Sequence, residues 1–262
     1  MKSLLAVVII VYLAGILVLT LVASHCSTNA STAVHMKLPP LKINHSSKTP
    51  NFRAITDIDN KKQTFFNFFA KIIDQENEKT SKQRKILVAI HTKDRSGKAL
   101  NTNERDIIDT LSSVYGVDVE ASKEAQLEEL LLRVRRIPKA LALAQAANES
   151  AWGTSRFAVK GNNYFGQWCY TKGCGLVPTG RSEDAGHEVR AFRTPAESVA
   201  AYIRNLNTHP AYQTLREIRQ KAAANGHPVV GSLLAEGLLN YSEKGITYVE
   251  ELKSMIKYNE LE

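Results

Sequence analysis

The feature that most restricts how this chain can fold is an uncharged run from Leu4 to Ala23, directly after the basic start Met1-Lys2. The run has 20 residues, about the length of helix that crosses the hydrocarbon core of a bilayer. A cleavable signal peptide has a shorter apolar region, of roughly 7–15 residues. We therefore expect residues 1–24 to form a membrane anchor. Val22-Ala23-Ser24 also fits a small-residue cleavage site, so a removed signal peptide is the alternative.

Both alternatives export the remainder of the chain, whose formal net charge of +8 favours anionic partners. No run of Lys and Arg is interleaved with aromatic residues, as a nucleic-acid surface would require. The densest basic cluster, Arg133, Arg135 and Arg136, fits the end of a helix instead. We therefore expect no nucleic-acid partner.

The pattern after the apolar run divides the chain into three further parts. Residues 25–61 are rich in Ser, Thr, Asn, Lys and Pro, which predicts a flexible tether. Residues 62–134 form a helical N-terminal region, in which Phe65, Phe69 and Ile72 belong to a stripe with helical spacing. Residues 135–262 form a second helical domain.

A glycine-rich stretch from 161 to 193 interrupts the second domain. Val189 and Ala191 alternate there with Glu188 and Arg190, as in a half-buried strand. The sequence therefore predicts a mainly α protein that carries one small β-hairpin lobe.

Glu149 is the candidate catalytic acid, because of its place at the end of a helix and its expected surroundings. Glu149 closes an alanine-rich helix, and Gln145 and Ala146 lie on the same helical face. A carboxyl group against apolar surface has a raised pKa. Such an acid can protonate the leaving oxygen of a glycosidic bond. An exposed glutamate at a helix end is the other interpretation that these residues allow.

Three short motifs in this region resemble glycoside hydrolase family 73, the N-acetylglucosaminidases of bacterial cell walls. They are Glu149-Ser-Ala-Trp-Gly153, Ser155-Arg-Phe-Ala158 and Gly161-Asn-Asn-Tyr-Phe-Gly166, in the family's order. Within the family, Gln167-Trp-Cys169 and the pair Cys169 and Cys174 are similar to the Bax proteins of Gram-negative bacteria, which share only a name with the apoptosis regulator.

The resemblance implies a lysozyme-like fold and a peptidoglycan hydrolase that cleaves the β-1,4 bond after N-acetylglucosamine, with Glu149 as general acid. We expect no cofactor. We also expect no metal, because two thiols and scattered histidines do not make a zinc site. The resemblance also implies a set of residues that shape the substrate groove. One of them is Tyr212, in His209-Pro-Ala-Tyr212, which matches the relatives' Asn-Pro-x-Tyr except that His209 replaces the asparagine. The residues expected to bind substrate are Trp152, Asn163, Tyr164, Phe165, Trp168, Tyr202 and Tyr212.

A second carboxylate is expected in the β-lobe, where Glu183, Asp184 and Glu188 are the candidates. Glu183 is favoured because it follows the segment that resembles the family's rising strand. Glu188 is the alternative second acid; alternation places it beside Arg190, so an exposed ion pair is its simpler interpretation. Asp184 lies at a turn, where Asp is common for conformational reasons.

Cys169 and Cys174 bracket a short turn and would form a disulfide in an oxidising compartment. The resemblance places the chain on the periplasmic side of the inner membrane if it is anchored, or in the periplasm if it is cleaved. The expected partners are peptidoglycan strands and the inner membrane, and the expected state is a monomer. The alternatives are a lytic transglycosylase, or a wall-binding protein without turnover.

Overall fold

A computed structural model of the chain describes residues 36–40, 48–180 and 186–262. The predicted anchor, residues 1–24, lies outside these residues, and so do Glu183 and Asp184. Within the described ranges, no helix combines the length and the apolar character that crossing a membrane requires.

The described residues are mainly helical, as the sequence predicts. Short 3₁₀ turns are formed by Phe52–Ala54, Pro210–Tyr212 and Glu236–Leu238. The helices are α1 (Ile58–Arg95), α2 (Thr102–Tyr115), α3 (Lys123–Arg133), α4 (Lys139–Ser150), α5 (Arg156–Gly161), α6 (Pro195–Thr208), α7 (Gln213–Ala224), α8 (Gly231–Ala235) and α9 (Ile246–Tyr258).

Helix α4 lies at the centre of the main hydrophobic core, where every residue from Ala140 to Ala147 is buried. Five of its residues are alanines with little side chain, so α1, α8 and α9 can all pack closely against it. Glu149 therefore projects from the end of a helix that is fixed on all sides.

The long helix α1 joins the two helical regions that the sequence distinguishes. Its first half contributes Phe65, Phe69 and Ile72 to the core around α4. Its second half places Leu87 and Ile90 in another cluster, which α2 and α3 complete. Residues 62–134 therefore contribute to both cores: the first half of α1 packs in the core around α4, and the remainder forms the second cluster.

The β-lobe is a small antiparallel sheet with the strand order β1-β3-β2. The strands are β1 (Trp168–Cys169), β2 (Gly175–Leu176) and β3 (Glu188–Arg190). Val189 is opposite Trp168 on one side and Leu176 on the other. The sheet thus has one strand more than the predicted hairpin, because Trp168 and Cys169 are too few to give a strand pattern in the sequence.

The structure differs from the sequence prediction at the C-terminal end of the tether predicted for residues 25–61. Phe52 is 2% exposed and packs among Phe65, Phe68 and Phe69 of α1. Helix α1 itself begins at Ile58, where Asp57 accepts a hydrogen bond from Asn60 N. The prediction of a tether from composition is wrong at this end, because one buried aromatic side chain is enough to fix a short segment to an existing core.

Candidate active site

The turn that follows Glu149 is unusually sharp. Ala151, Trp152 and Gly153 have φ angles of 48°, 57° and 74°, all in the left-handed region. Ser150 fixes the turn, since its buried hydroxyl donates to Ala146 O at 2.6 Å and accepts from Gly153 N at 2.8 Å. Left-handed alanine and tryptophan residues are uncommon and persist only where the surroundings hold them. The sequence Glu-Ser-Ala-Trp-Gly therefore ends α4 at a defined residue and sets the direction of Glu149.

The segment before α1 holds this turn in place. A Cβ atom added at Gly153 would lie 2.4 Å from Cδ2 of Phe52, so only glycine allows this close approach. The guanidinium of Arg53 donates twice to Thr154 O, at 2.8 and 2.7 Å. On the other side, the Trp152 ring packs edge-on against Phe66 with a centroid distance of 5.1 Å. Trp152 thus buttresses the end of α4 by joining it to α1.

A chain of hydrogen bonds fixes the carboxylate of Glu149. Tyr248, on α9, donates from its hydroxyl to Glu149 Oε1 at 2.7 Å. Gln145 Nε2 donates to the Tyr248 oxygen at 2.9 Å, and Tyr202 donates to Gln145 Oε1 at 2.6 Å. Because Gln145 and Tyr202 are fully buried, this chain links Glu149 to the rigid core.

The surroundings raise the pKa of Glu149 above its ordinary value, and burial is the main cause. The hydrogen bond from Tyr248 and the positive charge of Lys244 act in the opposite direction, because both stabilise the ionised form. A carboxyl group with a raised pKa keeps its proton to higher pH and can donate it.

The other carboxylate oxygen, Oε2, faces the backbone of Gly166. A Cβ atom built on Gly166 would lie 3.4 Å from Oε2, and the φ of +64° also favours glycine. Tyr241 positions this loop by donating to Phe165 O at 2.7 Å. The last glycine of the Gly-Asn-Asn-Tyr-Phe-Gly motif therefore forms one wall of the site beside Glu149.

The middle residues of that motif are structural. Asn163 donates to Gln167 O and Arg190 O, both at 2.9 Å, and so joins the loop to β3. Tyr164 packs on Phe69 of α1 at 4.5 Å, and burial raises its pKa to about 12. Phe165 stacks on Tyr202 at 4.0 Å. All these side chains are buried, so they shape the site from beneath and do not offer a surface to a ligand.

Tyr212 is also buried, and its ring packs near Tyr241 and His209. Burial raises the pKa of its hydroxyl, and the nearby charge of Glu149 adds to that increase. Tyr212 therefore belongs to the group of tyrosines around the acid, which extends through Tyr241 to Tyr248 by ring contacts at 5.8 and 5.6 Å.

Trp168 is the exception among the predicted substrate-binding residues, because 55% of it is exposed. Its ring stacks on that of His187 with a centroid distance of 4.0 Å and an interplanar angle of 14°. The pair lies on the β-lobe, where Trp168 is in β1 and His187 precedes β3. The exposed ring of Trp168, held flat by the partly buried His187, offers apolar surface to a planar or ring-shaped ligand.

The predicted disulfide is confirmed: Cys169 and Cys174 are joined, with their Cα atoms 6.3 Å apart. Glu188 lies beside it, but the predicted exposed ion pair with Arg190 is wrong. Glu188 is 6% exposed and accepts hydrogen bonds from Gly173 N at 2.9 Å and Gly175 N at 2.7 Å. The loop closed by the disulfide folds over the start of β3 and covers the carboxylate, which strand alternation alone does not reveal.

The sulfur atoms of Cys169 and Cys174 also lie close to the Glu188 carboxylate, which gives the cluster the composition of a metal site. Since the two sulfurs are bonded to each other, neither is available as a thiolate ligand. The cluster is therefore a structural clasp for the β-lobe.

Sequence reasoning missed Tyr241 and Tyr248, the two tyrosines that approach Glu149 most directly through hydrogen bonds and loop contacts. They are almost 100 residues from the acid along the chain, so no local motif joins them to it. The one available signal was the stripe Tyr248, Val249, Leu252 and Ile256, which predicts a buried face on α9. A buried tyrosine hydroxyl needs a partner, and Glu149 is that partner here.

The model of the family described as mannosyl-glycoprotein endo-beta-N-acetylglucosaminidase matches residues 125–261, a range that includes all of α4, the β-lobe and α9. The chain belongs to the glucosaminidase family. It is also 29% identical over 215 residues to the protein bax of Escherichia coli (strain K12), covering 82% of this chain and 76% of that protein. No solved structure matches significantly. Membership of the family makes the chain a glycoside hydrolase.

Proposed function

We propose that the chain cleaves the β-1,4 bond that follows N-acetylglucosamine in peptidoglycan strands, with Glu149 as general acid. The observation that carries this proposal is the environment of Glu149. Its carboxyl group has a raised pKa through burial, and Tyr248 holds its Oε1 atom in a fixed direction. Family membership supports the type of bond, and the net charge of +8 suits an anionic wall polymer.

The proposed reaction begins with protonated Glu149. Its proton passes to the glycosidic oxygen as the bond to the anomeric carbon breaks, and a negative charge then appears on the carboxylate. Water supplies the hydroxyl group that replaces the leaving oxygen at the anomeric carbon, and the remaining proton of that water restores the protonated acid. The hydroxyl of Tyr248 already points at Oε1, and a hydrogen bond to an anion is stronger than one to a neutral acid. The site therefore stabilises the transition state more than the bound ground state.

Glu183 is proposed as the second carboxylate, the group that places water or a developing positive charge opposite Glu149. In the sequence it lies between β2 and β3, outside the described residues. Glu188, the alternative, has both oxygens occupied by backbone N–H groups of the disulfide loop. Those hydrogen bonds commit the Glu188 carboxylate to the structure of the β-lobe. Glu183 is therefore the better candidate for the second catalytic carboxylate.

The exposed ring of Trp168, stacked on His187, is proposed as a platform for a sugar ring of the glycan strand. Carbohydrate rings present apolar C–H faces that pack on flat aromatic surfaces. A lysozyme-like groove between the helical body and the β-lobe would bring such a ring towards Glu149. With the anchor of residues 1–24, the site would face the wall from the outer side of the inner membrane.

Mass spectrometry of the ends released from purified sacculi tests the proposal. The expected products carry N-acetylglucosamine at the new reducing end. Products that end in anhydro-N-acetylmuramic acid would identify a lytic transglycosylase. Binding to sacculi without any release of fragments would identify a wall-binding protein.

A further inference from the structure

A cavity of about 590 Å³ lies at the end of α4 opposite to Glu149. Helix α4 has 12 residues and rises about 1.5 Å per residue, so the cavity is a site separate from the acid. Volumes of about 300–1,000 Å³ are typical of pockets for small organic molecules. The size of the cavity therefore suits a small ligand.

The cavity is lined by an unusual number of cationic side chains. Arg84 comes from α1, Arg135 and Arg136 from the link between α3 and α4, and Arg219 from α7, while Lys139 begins α4. Within the part of the chain that the structure describes, none of these four arginines forms an ion pair with an acidic side chain. Lys139 pairs with Asp74 at 3.0 Å.

These cations repel one another. Burial and the neighbouring charge of Arg135 lower the pKa of Arg84 to about 10, and burial with three nearby arginines lowers that of Arg219 to about 9. The acidic residue in the cavity wall, Glu262, directs its two carboxylate oxygens at the backbone and hydroxyl of Ser232, each at 2.8 Å. A bound anion would relieve the repulsion among the arginines.

Arg219 adds an independent observation. It is 1% exposed, and its terminal nitrogens hold Asn207 Oδ1 at 2.7 Å and backbone carbonyls near the end of α3. Its Nε atom has no hydrogen-bond partner among the described residues. A buried donor without a partner is rare in folded proteins, so Arg219 brings an unsatisfied N–H group as well as positive charge to the wall of the cavity.

The start of α4 contributes a further attraction for negative charge. Pro138 is the N-cap and offers no side-chain acceptor to the N–H groups of the first turn. The N-terminus of a helix carries partial positive charge, which adds to that of the surrounding arginines. Val229, Val230 and Leu261 give the cavity an apolar wall beside these groups.

We propose that this cavity binds a small organic molecule that carries a phosphate group. The phosphate contacts Arg84, Arg136 and the N-terminus of α4, and the apolar part of the molecule packs on Val229 and Leu261. Phosphate is favoured over a carboxylate because the positive charge of several guanidinium groups exceeds what one carboxylate neutralises. The proposal does not depend on the glycosidase activity.

Calorimetric titration of the full chain in an uncharged detergent tests the proposal. The probes are inorganic phosphate, phenyl phosphate, benzoate and short-chain phosphatidic acid. Phenyl phosphate is expected to bind saturably and more tightly than benzoate. If short-chain phosphatidic acid binds and phenyl phosphate competes with it, a lipid headgroup is the source of the phosphate; if only phenyl phosphate binds, the ligand is a soluble ester.

Arg136→Gln is the decisive variant, because Arg136 is exposed and its side chain makes no hydrogen bond to the described residues. It is expected to weaken binding of phenyl phosphate about tenfold, equivalent to about 1.4 kcal/mol. Lys98→Gln removes an exposed charge elsewhere and is expected to leave binding unchanged. Absence of saturable binding, benzoate binding as tight as phenyl phosphate, or an equal loss in both variants would overturn the proposal.

Discussion

The hydroxyl of Tyr248 donates a hydrogen bond of 2.7 Å to Oε1 of Glu149, across 99 positions of sequence. This bond connects the last helix of the chain to the end of the central helix. It also opposes the effect of burial on the pKa of Glu149, since it stabilises the ionised carboxylate. The acid is thus held by a group that determines both its direction and the pH at which it loses its proton.

Tyr248→Phe is expected to move the pH profile of the reaction. Removing a donor to the carboxylate raises the pKa of Glu149 further, so the protonated acid persists to higher pH. The alkaline limb of kcat/KM against pH should therefore move upwards. At the optimum, kcat should fall about ten- to a hundredfold, because a hydrogen bond to a charged group contributes about 1.5–3 kcal/mol.

Tyr258→Phe is the matched control, because Tyr258 lies on the same helix and is mostly exposed. It should leave both the limb and kcat unchanged. An alkaline limb that stays in place in Tyr248→Phe would show that Tyr248 does not act on the titrating acid.

Phe52→Ala is expected to destabilise the protein and to lower its activity. The ring fills the space between the Phe cluster of α1 and the turn at Gly153, so its removal leaves a cavity. Loss of a buried Phe side chain typically lowers the free energy of unfolding by about 3–5 kcal/mol. Chemical denaturation measures this loss, with exposed Ile58→Ala as control, for which a change within about 0.5 kcal/mol is expected. Equal stability of the two variants would mean that the segment at 52 is not part of the core.

Trp168→Ala is expected to weaken substrate binding with little effect on folding. The ring is mostly exposed, and its main described contact is the stack on His187. KM on soluble glycan fragments should rise about tenfold, equivalent to about 1.4 kcal/mol, with kcat little altered. Exposed Tyr258→Ala serves as the control for loss of an aromatic ring. An unchanged KM would exclude the sugar platform.

Glu183→Gln and Glu188→Gln should separate catalysis from structure in the β-lobe. We expect Glu183→Gln to lower turnover by orders of magnitude without changing the melting temperature. Glu188→Gln should lower the melting temperature instead, because its carboxylate accepts from Gly173 N and Gly175 N beside the disulfide. The reverse pattern would make Glu188 the second acid. Full activity in both variants would favour assistance by the substrate's own N-acetyl group.

The parts of the site that could be predicted from the sequence are those formed by residues close to one another along the chain. The end of α4 at Glu149 follows from the Ala-rich helix and Glu-Ser-Ala-Trp-Gly, and the Cys169–Cys174 bond joins residues only five positions apart. Gln145 is one helical turn before Glu149, so its place on the same face was also predictable.

The parts that the sequence did not reveal depend on contacts between distant segments. Tyr248 reaches Glu149 only because α9 packs on α4, and Phe52 meets Gly153 only because α1 carries the preceding segment back to the turn. Glu188 was misread for a related reason. The alternation of polar and apolar residues assigns side chains to the two faces of β3. It does not show that the loop closed by the disulfide covers one of those faces.

The variant Glu149→Gln is suited to a direct test because it is expected to fold. Burial raises the pKa of Glu149 above that of an unfolded chain, so its contribution to stability is present below the ordinary pKa of 4.5 and is lost as pH rises through the folded pKa. At neutral pH the neutral amide should therefore match or exceed the wild type in melting temperature. Exposed Glu250→Gln should differ little from the wild type in both stability and activity.

The rate at which Glu149→Gln releases fragments from purified sacculi tests the central claim most directly. The amide keeps the size of the side chain and cannot transfer a proton to the leaving oxygen. General acid catalysis contributes about 10²- to 10⁴-fold, so the rate should fall by that factor while binding to sacculi persists. A folded Glu149→Gln variant that releases fragments at a rate near that of the wild type would contradict the assignment of Glu149 as the catalytic acid.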